Sequence, residues 1–593
     1  MSPDPRIRAA AGYLLAEALV RLWPGTVLGS QGLTPDGFWR DALLPDDADR
    51  VHLEPLQEVL RQVAAEGPAP VVEVHAARAR QLLAGQALQL ELLAARDDGQ
   101  PVRVRHRGAF TVLDDSTTGG DDIATQPDAR PAPRGLALTT VSGAYWQGSA
   151  DNPMLSRIGG LAFASGSELE ARRRLLDEAK ERDHRRLGRR LGIFATSDDI
   201  GAGLPLWLPG GTVVRRQLES WIAEEERIAG YQHLVTPQLA KRGLYERSGH
   251  WEHYHEDMFP PMRVADEELV LRPMNCPHHI TVFKHGAHSY RDLPVRLAEL
   301  GTMYRYERSG VVGGLSRVRA MTLNDAHIFC TEDQVAEEFV RALRLVERCY
   351  GTLGITDHRY RLSLRDSLGV SGKYVADNLM WERAEKVIRG ALDTVGLDYE
   401  EAPGEAAFYG PKLDIQLPDL LGREETLSTI QIDFHLPEQF GLEYVAADGA
   451  RHRPVIIHRG ILSTMERMTA HLVELYNGAF PVWLAPVQVA VVAISAEQEP
   501  DAARWVDELV RAGLRAELVR TEGTLGSRIR AIQEDKVPFT AVIGREEAAS
   551  GTVSVRARGT RKAVVLARDA FADRLGTLAA TRSRELGLAP TAA

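Results

Sequence analysis

The chain has 593 residues, a formal net charge of −11, 44% hydrophobic and 26% charged residues. That length exceeds one hydrophobic core and sets an expectation of about three or four domains of ordinary globular composition. The acidic balance argues against wholesale polyanion binding and leaves local basic patches as the means of holding phosphates.

Three cysteines, none before Cys276, argue against a disulfide framework and fit a cytoplasmic, reducing setting. The opening segment carries Arg8 and Glu17 and no small-residue cleavage site, so it predicts an amphipathic helix and not a signal peptide. No apolar run reaches the ~18 residues of a membrane span. Residues 1–165 mix helical and strand patterns, with a Gly/Pro/Asp-rich exposed connection over 114–135. Residues 166–195 predict a long polar linker helix, opened by a capping box of Ser167 and Glu170 and carrying nine basic residues against six acidic ones. It reads as a solvated connector, with contact to a nucleic-acid backbone as the alternative. Residues 196–482 form a large mixed block with strands such as RLAELGTMYRYE and LSTIQIDFHL. Residues 483–593 alternate strand and helix, the pattern of a compact α/β domain.

Chemistry concentrates in the central block. Cys276, His327 and His458 lie 51 and 131 residues apart in LRPMNCPHH, MTLNDAHIF and VIIHRGILSTMER. The spacing is no zinc-finger pattern, but a Cys/His/His set can hold zinc with its fourth position open to a substrate. Cys330 and Cys349 read as small buried apolar residues.

MYRYERSG followed by GGLSRVRAMTLNDAHIF resembles motif 2 of the class II aminoacyl-tRNA synthetases, an antiparallel strand pair with a loop. HRGILSTMERM resembles motif 3, and GYQHLVTPQL resembles motif 1. With RPMNCP and FYGPK, the resemblance narrows to the threonyl-tRNA synthetase family over about residues 140–560. It implies a multidomain α+β fold: an antiparallel-sheet catalytic domain with helices, then an α/β anticodon-binding domain. The implied reaction is ATP-dependent ligation of threonine to tRNA(Thr) through an adenylate, in a homodimer formed through motif 1. The implied cofactors are one zinc per chain on Cys276, His327 and His458, and Mg²⁺ with ATP.

The family's roles carry over by motif. Arg305 falls at the contact to the α-phosphate and carboxylate, Glu307 at the adenine amino group, and Arg467 at the γ-phosphate and adenine face. Arg317 and Lys412 are the further cations. Glu307, two residues after Arg305 on an expected strand, points the same way. Met274, Asp325, Tyr409, Gln431 and Thr464 are expected around the threonine. His250 matches the histidine that assists deprotonation of the terminal ribose, and Glu547 and Arg556 match anticodon contacts. A charge-building phosphoryl displacement calls for such fixed cations more than for a general base.

The chain departs from the family pattern in its first 165 residues. The expectation is that a ubiquitin-like module is absent and that the editing domain is degenerate, because its His-x-x-x-His positions hold Ala9 and Tyr13. His52, His75 and His106 are the only histidines before residue 150, and none has a partner at helical spacing. Clearance of Ser-tRNA would then fall to a separate trans-editing protein. Thr426 and Leu323 replace common glutamines, while Glu522 and Ser527 stand where an amide and an aromatic are usual in the anticodon domain. Two alternatives stay open: an auxiliary or pathway-dedicated synthetase, and a non-catalytic RNA-binding or regulatory relative.

Overall fold

The computed structural model describes residues 3–45, 52–114, 133–366 and 374–588, in two compact units, Met1–Glu178 and Ala179–Ala593. Most of the connection expected over 114–135 lies outside the described residues.

The first unit opens with the helix Pro5–Leu22, capped by the Asp4 carboxylate on the Arg6 amide. Its Leu14, Leu15, Ala18 and Leu19 are buried with Leu56, Leu60 and Val63 of the helix Leu53–Glu66. The strands Val27–Thr34, Gly37–Leu43, Met154–Phe163 and Gly135–Tyr145 form an antiparallel sheet in that spatial order. Three further strands, Val71–His75, Pro101–Arg107 and Phe110–Leu113, make a second sheet.

The predicted linker helix is two helices, Gly166–Arg182 and His184–Arg190. The capping pair is Ser165 and Glu168, two residues earlier than expected: Ser165 Oγ accepts from the Glu168 amide, and the Glu168 carboxylate accepts from the Ala164 amide. The break comes at Asp183, whose carboxylate accepts from the Arg185 amide and restarts the helix.

The second unit is built on eight strands: β1 (Gln232–His233), β2 (Val295–Tyr304), β3 (Ala320–Cys330), β4 (Arg359–Leu364), β5 (Glu400–Pro403), β6 (Lys412–Pro418), β7 (Glu424–Asp433) and β8 (Val455–Thr464). Their spatial order is β1-β2-β3-β8-β7-β6-β4-β5, antiparallel except at the β1–β2 and β4–β5 edges. The period of two decides the two faces. On β3, Ala326, Ile328 and Cys330 enter the main apolar core with Phe339, Leu343, Val346 and Cys349 of the helix Val335–Leu353. Asp325 and His327 therefore take the other face. Cys330 and Cys349 are core residues, as expected of small buried apolar side chains.

Arg305 and Glu307 are not on a strand, contrary to expectation, because β2 ends at Tyr304. The chain turns there, with the Glu307 amide donating to the Arg305 carbonyl at 2.9 Å. Strand alternation therefore does not align their side chains.

The C-terminal segment carries a five-stranded sheet in the order Ala516–Val519, Val489–Ala493, Phe539–Ile543, Thr552–Ala557, Val564–Ala567. The first three strands are parallel and the last two antiparallel. The helices Glu499–Arg511 and Arg568–Ala580 bury Trp505, Leu509, Phe571 and Leu575 against it.

Candidate active site

One row of the sheet assembles much of the site. Leu297 of β2 pairs with His327 of β3, His327 with His458 of β8, His458 with Gln431 of β7, and Gln431 with Lys412 of β6. Directly paired residues share a face, so four predicted site residues project to the same side. Cys276 reaches this face from the first turn of the helix Cys276–His285.

The ligand atoms of Cys276, His327 and His458 lie within 4.8 Å of one another, all three buried. Hydrogen bonding leaves selected lone pairs over. His458 Nε2 lies 2.9 Å from Asp433 Oδ2, while its Nδ1 has no partner. His327 Nδ1 lies 2.8 Å from His279 Nδ1, while its Nε2 has no partner. Burial holds His327 far below the usual imidazole range and therefore neutral, the form that ligates a metal. Burial, with Asp325 and Asp433 nearby, pushes the Cys276 thiol well up. A cation bound there must displace its proton. Two buried imidazole lone pairs and a sulfur, each imidazole backed by a hydrogen-bonded group, suit a tetrahedral metal such as zinc.

Asp325 Oδ2 accepts from Asn275 Nδ2 at 3.0 Å. Asn275 fits because Gly301 lies beneath it: a Cβ at 301 would stand 2.6 Å from Asn275 Nδ2. Tyr409 donates to Gln431 Oε1 at 2.5 Å, and its ring lies 4.9 Å from that of His458. Met274 packs with the apolar group around Cys276. Thr464 caps the helix Met465–Leu475, its hydroxyl accepting from the Arg467 amide at 3.0 Å. Just before it, Ser463 has φ 52°, beside a register shift between β3 and β8. That bulge re-aims the strand end into the site.

The cations stand on the same sheet and its loops. Among the described residues Arg305 pairs with no carboxylate. Arg467 donates from Nε to the Ser316 carbonyl at 3.2 Å and from Nη1 to the Thr426 carbonyl at 3.3 Å. Arg317 pairs with Glu307 at 2.9 Å, and Lys412 with the buried Asp414 at 2.8 Å. Thr426 also accepts from Gln416 Nε2 at 2.7 Å, and Leu323 packs on Met303, Val318 and Met321. His250 is fully buried, accepts or donates at Nδ1 with Ser248 Oγ at 2.7 Å, and has a free Nε2. Desolvation, with His458 nearby, lowers its pKa to about 3.

Comparison with known proteins decides the family. Residues 261–476 match the class II tRNA synthetase core domain of the G, H, P, S and T enzymes, and residues 488–578 match an anticodon-binding domain. A threonine–tRNA ligase of Bacillus velezensis is 46% identical over 573 residues, covering 95% of this chain and 87% of that one. A threonine–tRNA ligase of Streptococcus sanguinis is 45% identical over 98% of this chain and 89% of its own. The chain belongs to the threonine–tRNA ligase family.

Solved members of that family agree. The RNA-binding domain of a Cryptosporidium parvum threonyl-tRNA synthetase matches at a TM-score of 0.64 and 38% identity, over 67% of this chain and 98% of that one. An Aeropyrum pernix putative threonyl-tRNA synthetase matches at 0.58 and 28%, over 69% and 98%.

Glu547 and Arg556 lie apart from the catalytic sheet, in the anticodon-binding domain. The Glu547 carboxylate accepts from the Gly544 amide at 2.9 Å, and Arg556 sits on the strand Thr552–Ala557. Ser527 is turned back on the Thr524 carbonyl at 2.7 Å. Sequence reading missed Asn275, His279, Glu299 and Asp433, which surround the expected ligands. Only His279 carried a signal, as the second histidine of NCPHH.

In the first unit, Tyr13 fills its position with a buried ring, under the Arg105 guanidinium at 4.3 Å. Arg105 in turn pairs with Asp114 at 3.0 Å.

Proposed function

We propose that this enzyme activates L-threonine with ATP to threonyl-adenylate and transfers it to tRNA(Thr), selecting threonine at a zinc ion held by Cys276, His327 and His458. The observation that carries the reading is that His327 and His458, whose ligand atoms cluster with the Cys276 sulfur, each keep one buried ring nitrogen unpartnered among the described residues. Bound there, zinc supplies an open coordination position for an amino group and a hydroxyl.

The chain's own residues do the rest. Asp325, beside the cluster, accepts a hydrogen bond from the substrate hydroxyl in addition to that from Asn275, and valine cannot supply it. A pocket built on such a demand separates near-isosteres far better than an apolar one. Tyr409, Gln431 and Met274 bound the same space. Arg305, unpaired with any carboxylate among the described residues, takes the α-phosphate and the attacking carboxylate. Glu307 meets the adenine amino group, and Arg467 and Arg317 meet the outer phosphates with Mg²⁺. Arg467 is already tethered to two carbonyls, so little reorganisation is needed when charge develops. Lys412 reaches the site from β6 with its charge balanced by Asp414. His250, neutral and with Nε2 unpartnered among the described residues, offers that nitrogen to the ribose hydroxyl in transfer as a hydrogen-bond acceptor. Glu547 and Arg556 meet the anticodon.

Three further readings complete the proposal. The first unit does not hydrolyse Ser-tRNA, since Tyr13 and Ala9 supply no histidine pair; a separate protein clears it. The enzyme works as a homodimer, consistent with the exposure of Val235 (93%) and Ile228 (63%) in and just before the motif 1 segment. Its setting is cytoplasmic, consistent with three free, buried cysteines. Among the described residues no helix is long and apolar enough to cross a membrane.

Aminoacylation of tRNA(Thr) tests the reading. Threonyl-tRNA should form with the zinc-loaded protein, and purified Ser-tRNA(Thr) should persist when the protein alone is added. Rapid deacylation of Ser-tRNA would contradict the editing assignment, and charging by a metal-free protein would contradict the zinc assignment.

A further inference from the structure

His279 has no part in the chemistry described above, yet it is fully buried and hydrogen-bonded at both ring nitrogens. Its Nε2 lies 3.0 Å from Glu299 Oε2, and its Nδ1 lies 2.8 Å from His327 Nδ1. Glu299 is itself held from three sides. The Thr236 amide and hydroxyl donate to it at 3.0 and 2.8 Å, and Arg272 Nη2 donates at 3.1 Å.

These contacts fix where the protons sit. A carboxylate so surrounded by donors is an acceptor, so the proton of a neutral His279 lies on Nε2 and its Nδ1 offers a lone pair. Two facing ring nitrogens need one donor between them, and His327 Nδ1 must be that donor. A neutral His327 then has its lone pair on Nε2, the ring nitrogen left without a partner among the described residues and so open to a metal. Without His279, no other group among the described residues hydrogen-bonds His327 Nδ1, and its proton is free to sit on the ligating nitrogen.

We propose that Thr236, Glu299 and His279 form a positioning relay that sets the tautomer and ring orientation of His327, so that the motif 1 segment supports the zinc site through hydrogen bonds. The relay rests on the zinc reading above and adds residues that touch neither substrate nor metal. Among the described residues, the hydrogen bonds that link Thr236 and Glu299 to the ligand run through His279.

The test uses the full-length zinc-loaded protein, with zinc release to a colorimetric chelator as the first readout and KM for threonine against KM for ATP as the second. His279→Phe keeps a ring but can neither accept nor donate. It should release zinc about 10–100-fold faster, the usual scale for such outer-shell partners, and raise KM for threonine while KM for ATP holds. His279→Gln offers an amide oxygen to His327 and an amide N–H to Glu299, so it should stay within a few-fold of the parent. Thr236→Val, a mild change in shape, should accelerate release several-fold and decides the matter if His279→Phe does not fold. A parent protein without zinc overturns both readings. A zinc-bearing parent whose His279→Phe variant, or failing that Thr236→Val, releases zinc at the parental rate overturns the relay alone. A Gln variant as fast as the Phe variant assigns the effect to packing and also overturns it.

Discussion

Cys276, His327 and His458 bring three ligand atoms within 4.8 Å of one another, and so do Asp183, His184 and Glu474. In the second group the imidazole is fully used. His184 Nδ1 lies 2.7 Å from Glu474 Oε1, and its Nε2 accepts from the Leu315 amide at 3.2 Å. Asp183 is occupied as a helix cap. In the first group, each imidazole has spent one nitrogen and kept the other. Proximity of donor atoms is therefore a poor guide by itself, and the remaining lone pairs separate the proposed metal site from a structural clamp. His184 joins the loop after Arg305 to the helix that carries Arg467. Gly314, with φ +54°, lets that loop approach, since a Cβ there would stand 2.2 Å from His184 Nε2.

The comparison breaks most sharply at Cys276. Cys276→Ala should remove zinc and lower threonine activation by on the order of 10³-fold or more, the scale on which loss of a hydroxyl-demanding site is felt. Metal content and pyrophosphate exchange read this; a metal-free variant with parental activity would defeat the assignment. Next comes Arg467→Lys, which removes the planar fork tethered to Ser316 and Thr426. It should cost roughly 100-fold in kcat/KM for ATP while leaving zinc in place.

The clamp should respond differently. His184→Ala strands the Leu315 amide and costs roughly 1–3 kcal/mol of stability, with zinc content unchanged. Loss of zinc in that variant would erase the distinction between the two groups. The smallest effect concerns pH. The folded pKa of His250, about 3, lies below its ordinary value of 6.5. Its contribution to stability is therefore full above about pH 6.5 and is lost as pH falls toward 3. Across pH 6–8 it stays neutral, so pyrophosphate-exchange profiles of the parent and His250→Gln should have the same shape. A break near pH 6.5 that disappears in the variant would contradict the burial.

Much of this was legible in the sequence because motif and period coincide. The alternation on β3 separates Asp325 and His327 from Ala326, Ile328 and Cys330 without any structure. The strands RLAELGTMYRYE and LSTIQIDFHL appear as β2 and β7, and the strand–helix alternation after residue 483 appears as the five-stranded sheet and its helices. What sequence could not supply is register and satisfaction. That His327, His458, Gln431 and Lys412 form one row depends on pairings between strands, the longest of which joins His327 to His458 across 131 residues. Glu299 and Asp433 look like ordinary strand carboxylates until their partners are in place. β2 stops short of Glu307 because the chain turns after Tyr304, the Glu307 amide donating to the Arg305 carbonyl in place of a neighbouring strand. The split of the linker helix turns on one capping side chain, Asp183, whose effect a run of arginines conceals.

Threonine-dependent ATP–pyrophosphate exchange, run with zinc-loaded and metal-stripped protein and with serine and valine alongside, tests the central claim most directly. The account predicts exchange with threonine, weaker exchange with serine, none with valine, and loss of the threonine signal on stripping with recovery on zinc return. Equal exchange with valine, or full activity in the stripped protein, would contradict it.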